Sequence, residues 1–407
     1  MLKKKLKTQY YNKRIFVLLL FLFVSGQLLN AQNTNKLEGI IYNSSDSTYL
    51  AYVNIFIRSN TSGTISNEQG AFSFFFKSDN TSDTVVFSAI GYETQKYCIS
   101  GLNNKELTIY LQPAIIPLEE VVITPLNSKE IVKEALSKME QNYSQNASIL
   151  HSYTRQIVEE NNKYTRFAEA ALDIYNPTYF SNKRKPQKQN LIRLRNSKAS
   201  LDKTHELIKY KINTADFVAN IFINQTLSFL EDLNNYEFSF IEQINYDDLL
   251  LYEIKFTSIN DKNSSDYDGV IYIDQETKAF VSLQYKYKYD YIKQVKAYIN
   301  GFVKVNYEYL DYNFRIDFKK VSDKWHLSYM RKGYNIDIYT EDKSIINLKV
   351  HAFNDLLVNK TQLDDVSTFK GSELINYKKD IYYQIGTYGN EIWKNFNRIE
   401  PPKFLNK

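Results

Sequence analysis

Cysteine is almost absent from this 407-residue chain: Cys98 stands alone, so no intramolecular disulfide can form. It lies in the strand-like "TQKYCIS", where a small buried apolar side chain is the expected role. Histidine is nearly as scarce. His151, His205, His326 and His351 are followed three residues on by Thr154, Ile208, Tyr329 and Asn354, so the His-x-x-Glu pair of a zinc carboxypeptidase is missing. No Gly-x-Ser-x-Gly elbow occurs, and Ser200 and Lys203 match the Ser-x-x-Lys spacing without its companion motifs. No run beyond the N-terminal segment approaches eighteen apolar residues, so no membrane-spanning helix is expected there. Only twelve glycines and seven prolines punctuate the chain, against thirty-four tyrosines and twenty-five phenylalanines, which points to aromatic-rich strands.

The N-terminus reads as an address. Lys3, Lys4, Lys5, Lys7, Lys13 and Arg14 precede the ten-residue run "IFVLLLFLFV", and a short polar stretch ends at Ala31. This pattern predicts a signal peptide over residues 1–31, with Gln32 as the new N-terminus. No cysteine follows the run to carry a lipid. The whole chain carries a net charge of +5, but removing the six basic residues of this segment leaves 45 bases against 46 acids. The rest of the chain is therefore close to neutral, and nucleic acid is not expected as a partner.

Between residues 36 and 124 short apolar stretches alternate with turn signals roughly every ten residues, the pattern of an antiparallel sandwich. In "GTISNEQGAFSFFF" the side chains of Phe72, Phe74 and Phe76 fall on one face. Asn67 can bond its own backbone two residues on, and Gly70 can take the positive φ that closes a turn, so a hairpin is expected here. The Gly-Lys-Ser/Thr of a phosphate loop is absent. In order and spacing, Gly39, Gly63, Thr64, Asn67, Gly70, Phe72, Gly91, Tyr92 and the closing "EEVVIT" (119–124) resemble the carboxypeptidase-regulatory-like domain of Bacteroidota envelope proteins. That resemblance implies a seven-stranded, transthyretin-like β-sandwich without catalytic residues. Such domains often precede the plug and barrel of TonB-dependent receptors, but fewer than 290 residues follow here, with no glycine-rich plug.

Residues 125–150 switch to a helical period. Asn127 and Glu130 suit an N-terminal cap, and Ile131, Ala135, Leu136 and Met139 fall on one face expected to dock on the chain's own core. From His151 to Lys407 strands return, predicting a β-rich antiparallel domain with one or two helices (one at 213–233) and a large sheet with one wet face. The stretch "NYEFSFIEQINYDDLLLYEIKFTS…YDGVIYIDQETKAFVSLQY" resembles the half-barrel of periplasmic lipoprotein carriers, and "WKNFNRIEPP" resembles the end of uncharacterised Bacteroidota proteins. The carrier resemblance implies a concave sheet that holds acyl chains.

Other candidates fall to simple tests. "DKNSSDYDG" (261–269) puts Asp266 where an EF-hand needs glycine, and Tyr272 where it needs glutamate. Asp247 and Asp248, read as strand neighbours, would point to opposite faces. The basic run 182–188 and the "YKYKYDY" stretch (285–291) fit solvated loop and strand faces. The fold class expected is mainly β, a sandwich followed by a larger half-barrel-like α+β region. The function expected is a non-enzymatic exported accessory protein, periplasmic or associated with the outer membrane. It would bind a lipid, a glycan or an outer-membrane protein, without cofactor or metal. The alternative is an envelope hydrolase acting on peptide or glycan through dispersed carboxylates, and a third reading is an assembly scaffold. The motif residues Gly39, Gly63, Asn67, Gly70, Gly91 and Tyr92 are expected to shape turns rather than to bind.

Overall fold

A computed structural model describes residues 35–58, 62–76, 82–102, 106–114, 127–180, 191–201, 227–259, 267–288, 295–299, 303–376 and 396–401. The signal-like segment, the "EEVVIT" stretch, most of the 261–269 loop, the basic run 182–188 and residues 213–226 of the expected helix lie outside these. At 227–233 the chain forms short 3-10 turns, at Ser228–Leu230 and from Leu233 onward, rather than α-helix.

Seven strands build the sandwich. One sheet has the order β4 (Ala71–Phe76), β1 (Asn35–Asn43), β7 (Glu106–Leu111); the other runs β3 (Gly63–Ile65), β2 (Asn54–Ile57), β5 (Thr84–Ser88), β6 (Gln95–Cys98). Phe72, Phe74 and Phe76 face inward from β4 and are at most 3% exposed, and Phe72 meets Phe87 edge-on at 5.5 Å. Alternation of period two sends these rings to the core, where each buried aromatic contributes about 1.5–3 kcal/mol. Two expectations need correction. The sandwich is not wholly antiparallel, because β1 and β7 pair in parallel. The 66–70 turn is not a hairpin either: β3 and β4 belong to different sheets, so the turn carries the chain across the sandwich.

Helix α1 (Ser128–Ser137) starts at Asn127, whose side chain accepts from the Glu130 backbone N–H at 3.3 Å. Ile131, Val132 and Ala135 are buried against the large sheet, and a single turn, α2 (Met139–Asn142), follows. That sheet has eleven strands: β8 (Ser148–Glu160), β9 (Lys163–Asn176), β10 (Leu191–Leu201), β11 (Tyr236–Tyr246), β12 (Leu249–Ser258), β13 (Tyr267–Asp274), β14 (Phe280–Tyr287), β15 (Val295–Ile299), β16 (Val303–Val321), β17 (Lys324–Tyr339) and β18 (Asn347–Gln362). All its pairs are antiparallel, and the order runs from β10 through β9, β8, β18, β17, β16, β14, β13 and β12 to β11. The sheet is open, since the outer strands β10 and β11 do not pair with each other among the described residues. Asn161 and Asn162, both at positive φ, close the two-residue β8–β9 turn.

Among the described residues, exposed and buried positions mix toward β11 and alternate at the start of β18. At the centre β8 is buried on both faces. The reason is docking. The helices and Tyr143 cover one face, and the sandwich covers the other, placing Ile65 and Tyr52 against Tyr153, Tyr329 and Leu357.

Candidate functional site

The sandwich rests on a transverse row of charge. In register across five strands lie Glu169 (β9), Arg155 (β8), Asp355 (β18), Arg331 (β17) and Arg315 (β16). Directly opposed side chains of unlike charge stabilise a sheet, but this row holds three bases and two acids. Glu68, from the turn between β3 and β4, supplies the third acid from above. Its Oε1 lies 2.7 Å from Arg155 Nη2 and 2.7 Å from Arg331 Nη1. Beneath it Arg155 Nε donates to Asp355 Oδ2 at 2.6 Å, while Asp355 Oδ1 accepts from Tyr329 Oη at 2.6 Å. Tyr52 donates to Glu68 and accepts from Arg331. The Arg331 guanidinium also sits 3.8 Å from the Phe353 ring centroid, a cation–π contact.

Burial makes this cluster strong and inflexible. The Arg155 and Asp355 side chains are fully inaccessible. Burial pushes the Glu68 carboxyl up, but the Arg155 and Arg331 charges outweigh it and hold it down at about 2. Arg155 is raised further above its usual range because Glu68 and Asp355 outweigh its own desolvation. Held between two guanidiniums, the Glu68 carboxylate stays ionised at neutral pH and is committed to the junction.

Residues 396–400 clasp the same junction. Asn397 pairs with the backbone of Phe75 through both its amide atoms, at 2.6 and 2.8 Å. Arg398 meets Glu169 at 3.0 Å, and Ile399 is fully buried beside Tyr153 and Ile65.

Beside the charge cluster a cleft of about 300 Å³ opens between sandwich and sheet. Ile55, Phe56 and Gly63 wall one side; Phe318, Trp325 and Leu357 wall the other. Its charged residues are Arg58, Lys319 and Lys320 against a single acid, Asp247. Asp247 and Asp248 do not point apart on a strand, as the sequence implied. Both take positive φ in the β11–β12 turn, and both reach the Nη2 of Arg58, at 3.1 and 2.9 Å, while Lys96 also meets Asp248. Asn54 donates to Tyr246 across the same wall at 2.8 Å.

The motif residues take separate places. Gly70, at φ +68°, closes the turn that presents Glu68, and a side chain there would meet the Ile41 carbonyl oxygen at 2.3 Å. Asn67 Oδ1 accepts from the Gln69 and Ala71 backbone N–H groups at 2.9 Å each, and its amide donates to Glu400 O. Gly39 lets β7 approach closely, with Leu107 O only 2.0 Å from an added carbon. Gly63 borders the cleft, whereas Gly91 and Tyr92 lie in the turn bridged to Pro113. The structure thus gathers Gly63, Asn67 and Gly70 near the junction and leaves the other three away from it.

Sequence reasoning missed Glu68, Arg155, Arg331 and Asp355. The signal was a charge in mid-strand among apolar neighbours, as in "SYTRQIV" and "AFNDLLV". Cys98 is exposed, not buried, because β6 is a sheet edge. His151 bonds Asp173 and Gln362, and His351 bonds Asn335. Among the described residues no group of three His, Cys, Asp or Glu could hold a metal.

Residues 37–123 match the family model of the CarboxypepD_reg-like domain. No curated protein matches the chain. Among solved structures, the chain is similar to a DUF1329 family protein from Desulfovibrio piger, at 11% identity and a TM-score of 0.28, covering 61% of this chain and 99% of that one. It is also similar to a putative outer membrane lipoprotein-sorting protein domain from Vibrio parahaemolyticus (10%, 0.25, 59% and 94%) and to a LolA superfamily protein from Nitrosomonas europaea (11%, 0.22, 59% and 94%).

Proposed function

We propose that this chain is an exported accessory binding protein of a bacterial envelope, without catalytic activity, and that the junction of sandwich and sheet is its binding region. In this reading residues 1–31 direct export. A sandwich over 36–124 and a β-rich unit over 151–407, joined by residues 125–150, then act as one body. The observation that carries the reading is the junction cleft, walled by both units and lined by apolar and basic side chains with a single carboxylate. Concave apolar sites with a few polar groups are where proteins take ligands. The charge cluster beside it supports binding rather than turnover, since its groups neutralise one another. No helix among the described residues is long and apolar enough to cross a membrane.

Native mass spectrometry on the protein drawn gently from its own envelope tests this. A chain lacking residues 1–31 and carrying a bound lipid, glycan or protein is the expected result. A chain that is bare in every preparation would count against it.

A hydrolase is the second reading, and one observation favours it. Asp247 and Asp248 stand together at the cleft on Arg58 Nη2, at 3.1 and 2.9 Å, with burial raising the Asp247 carboxyl and the Lys96 hydrogen bond lowering that of Asp248. Turnover of a peptidoglycan or glycan panel, abolished by Asp247→Asn, would establish it.

A further inference from the structure

Residues 396–401 have no regular secondary structure, and they form no backbone–backbone hydrogen bond with the described residues. Side chains hold them instead. Asn359 donates to the Asn397 carbonyl at 2.8 Å, Thr64 to the Arg398 carbonyl at 3.2 Å, and Asn67 to the Glu400 carbonyl at 3.0 Å. These donors come from both units, Asn359 from the sheet and the other two from the sandwich, and each is at most 9% exposed. The strand ladders of both units are paired without the segment, so lifting it away would break none of them.

Its side chains are read one at a time. Asn397 lies on the open edge of β4, the outer strand of its sheet, where its Oδ1 accepts from the Phe75 N–H and its Nδ2 donates to the Phe75 carbonyl, as a neighbouring strand would. Arg398 pairs with Glu169, a carboxylate that is 1% exposed and also accepts from Tyr153 Oη. Ile399 is fully buried against Ile65, Tyr153 and Leu357. Main-chain bonds for grip, with separate pockets for successive side chains, are how proteins read an extended peptide. One member fits badly: burial pushes the Glu400 carboxyl up, although Arg398 and Lys36 oppose it. We infer that this seat is a peptide-recognition site, filled here by the chain's own strap. Its partner is a protein presenting an extended segment of asparagine, arginine and a branched aliphatic residue, which takes the seat by displacing residues 396–401. The inference rests on the binding function proposed above and gives that function a partner class.

The test is fluorescence anisotropy of a labelled peptide of residues 394–402, "KNFNRIEPP", against the purified full chain. A strap on the same chain competes at an effective concentration on the order of millimolar, so the parent should bind the peptide weakly. Arg398→Ala removes the ion pair, and Arg398→Ala with Ile399→Ala removes the buried plug as well. Both variants should bind the peptide one-to-one, at least about tenfold more tightly than the parent and the double variant most tightly. A peptide carrying Arg398→Glu and Ile399→Ser should not bind, and Glu169→Gln added to the opened protein should weaken the native peptide about tenfold or more. Unfolding midpoints report whether each variant is folded. Absence of saturable binding to the folded variants, or equal binding of the altered peptide, overturns the inference. Failure of both variants to fold overturns it too, since the strap would then be a structural part. If the envelope-derived protein in such a case still carries a lipid, glycan or protein, the accessory binding function stands without this peptide site; if it carries nothing, both fall.

Discussion

Two ties fasten the sandwich to the sheet, built from the same chemistry in different surroundings. In the inner tie Glu68 meets Arg155 and Arg331 over Asp355, with Arg155 and Asp355 fully buried. In the outer tie Arg58 and Lys96 meet Asp247 and Asp248, and the Asp248 side chain is 62% exposed. Water screens the outer pairs, and such contacts are worth about 0.2–1 kcal/mol. Arg155 and Asp355 have no water to fall back on, so removing either costs about 3–5 kcal/mol. Similar distances therefore conceal different roles. The inner tie fixes where the sandwich sits, and the outer tie dresses the cleft wall.

The sharpest way to break this contrast is Arg155→Met, which leaves Glu68 and Asp355 without their shared cation. Denaturant unfolding should show a loss of about 3–5 kcal/mol. Next comes the turn that presents Glu68. Gly70→Ala places a methyl group 2.3 Å from the Ile41 oxygen at φ +68°, and about 1–3 kcal/mol should be lost. A Gly70→Ala protein as stable as the parent would mean that the turn relaxes freely and does not hold Glu68 in place.

The third test uses pH. The folded carboxyl of Glu68, at about 2, lies below its ordinary 4.5, because the Arg155 and Arg331 charges outweigh the upward push of burial. Its stabilisation is therefore complete above about pH 4.5 and is lost as pH falls toward 2. The gap in thermal midpoint between the parent and Glu68→Gln should be widest at neutral pH and shrink through that window. A gap constant from pH 7 to 2 would mean that ion pairing by Glu68 does not stabilise the junction. The smallest effect belongs to the outer tie: Lys96→Ala should change stability by less than about 1 kcal/mol and lose even that in high salt.

How much of this was legible in the sequence depends on range. Asn67, Gly70 and the Asn127 cap act on backbone within four residues, so local chemistry announces them. The phenylalanine stripe of β4 announces a buried face by its period. The junction is different. Arg155 finds Asp355 200 residues away and Glu68 87 residues away, and no local pattern links the three. The same distance explains the turn taken for a hairpin: "NEQG" has hairpin chemistry, and only the sheet order shows that β3 and β4 separate. It also explains why the centre of the sheet has no wet face, since strands such as "HSYTRQIVEE" carry polar residues on a side that the sandwich later covers. Charged residues in mid-strand were the readable hint that something docks there.

The central claim is that the inner tie makes sandwich and sheet one cooperative body, and scanning calorimetry of the intact chain tests it most directly. A single transition, with calorimetric and van't Hoff enthalpies in agreement, is the predicted result, and Arg155→Met should split or broaden it. Two resolved transitions in the unsubstituted protein would contradict the claim, leaving the sandwich a separately folded appendage and the cleft a gap between neighbours.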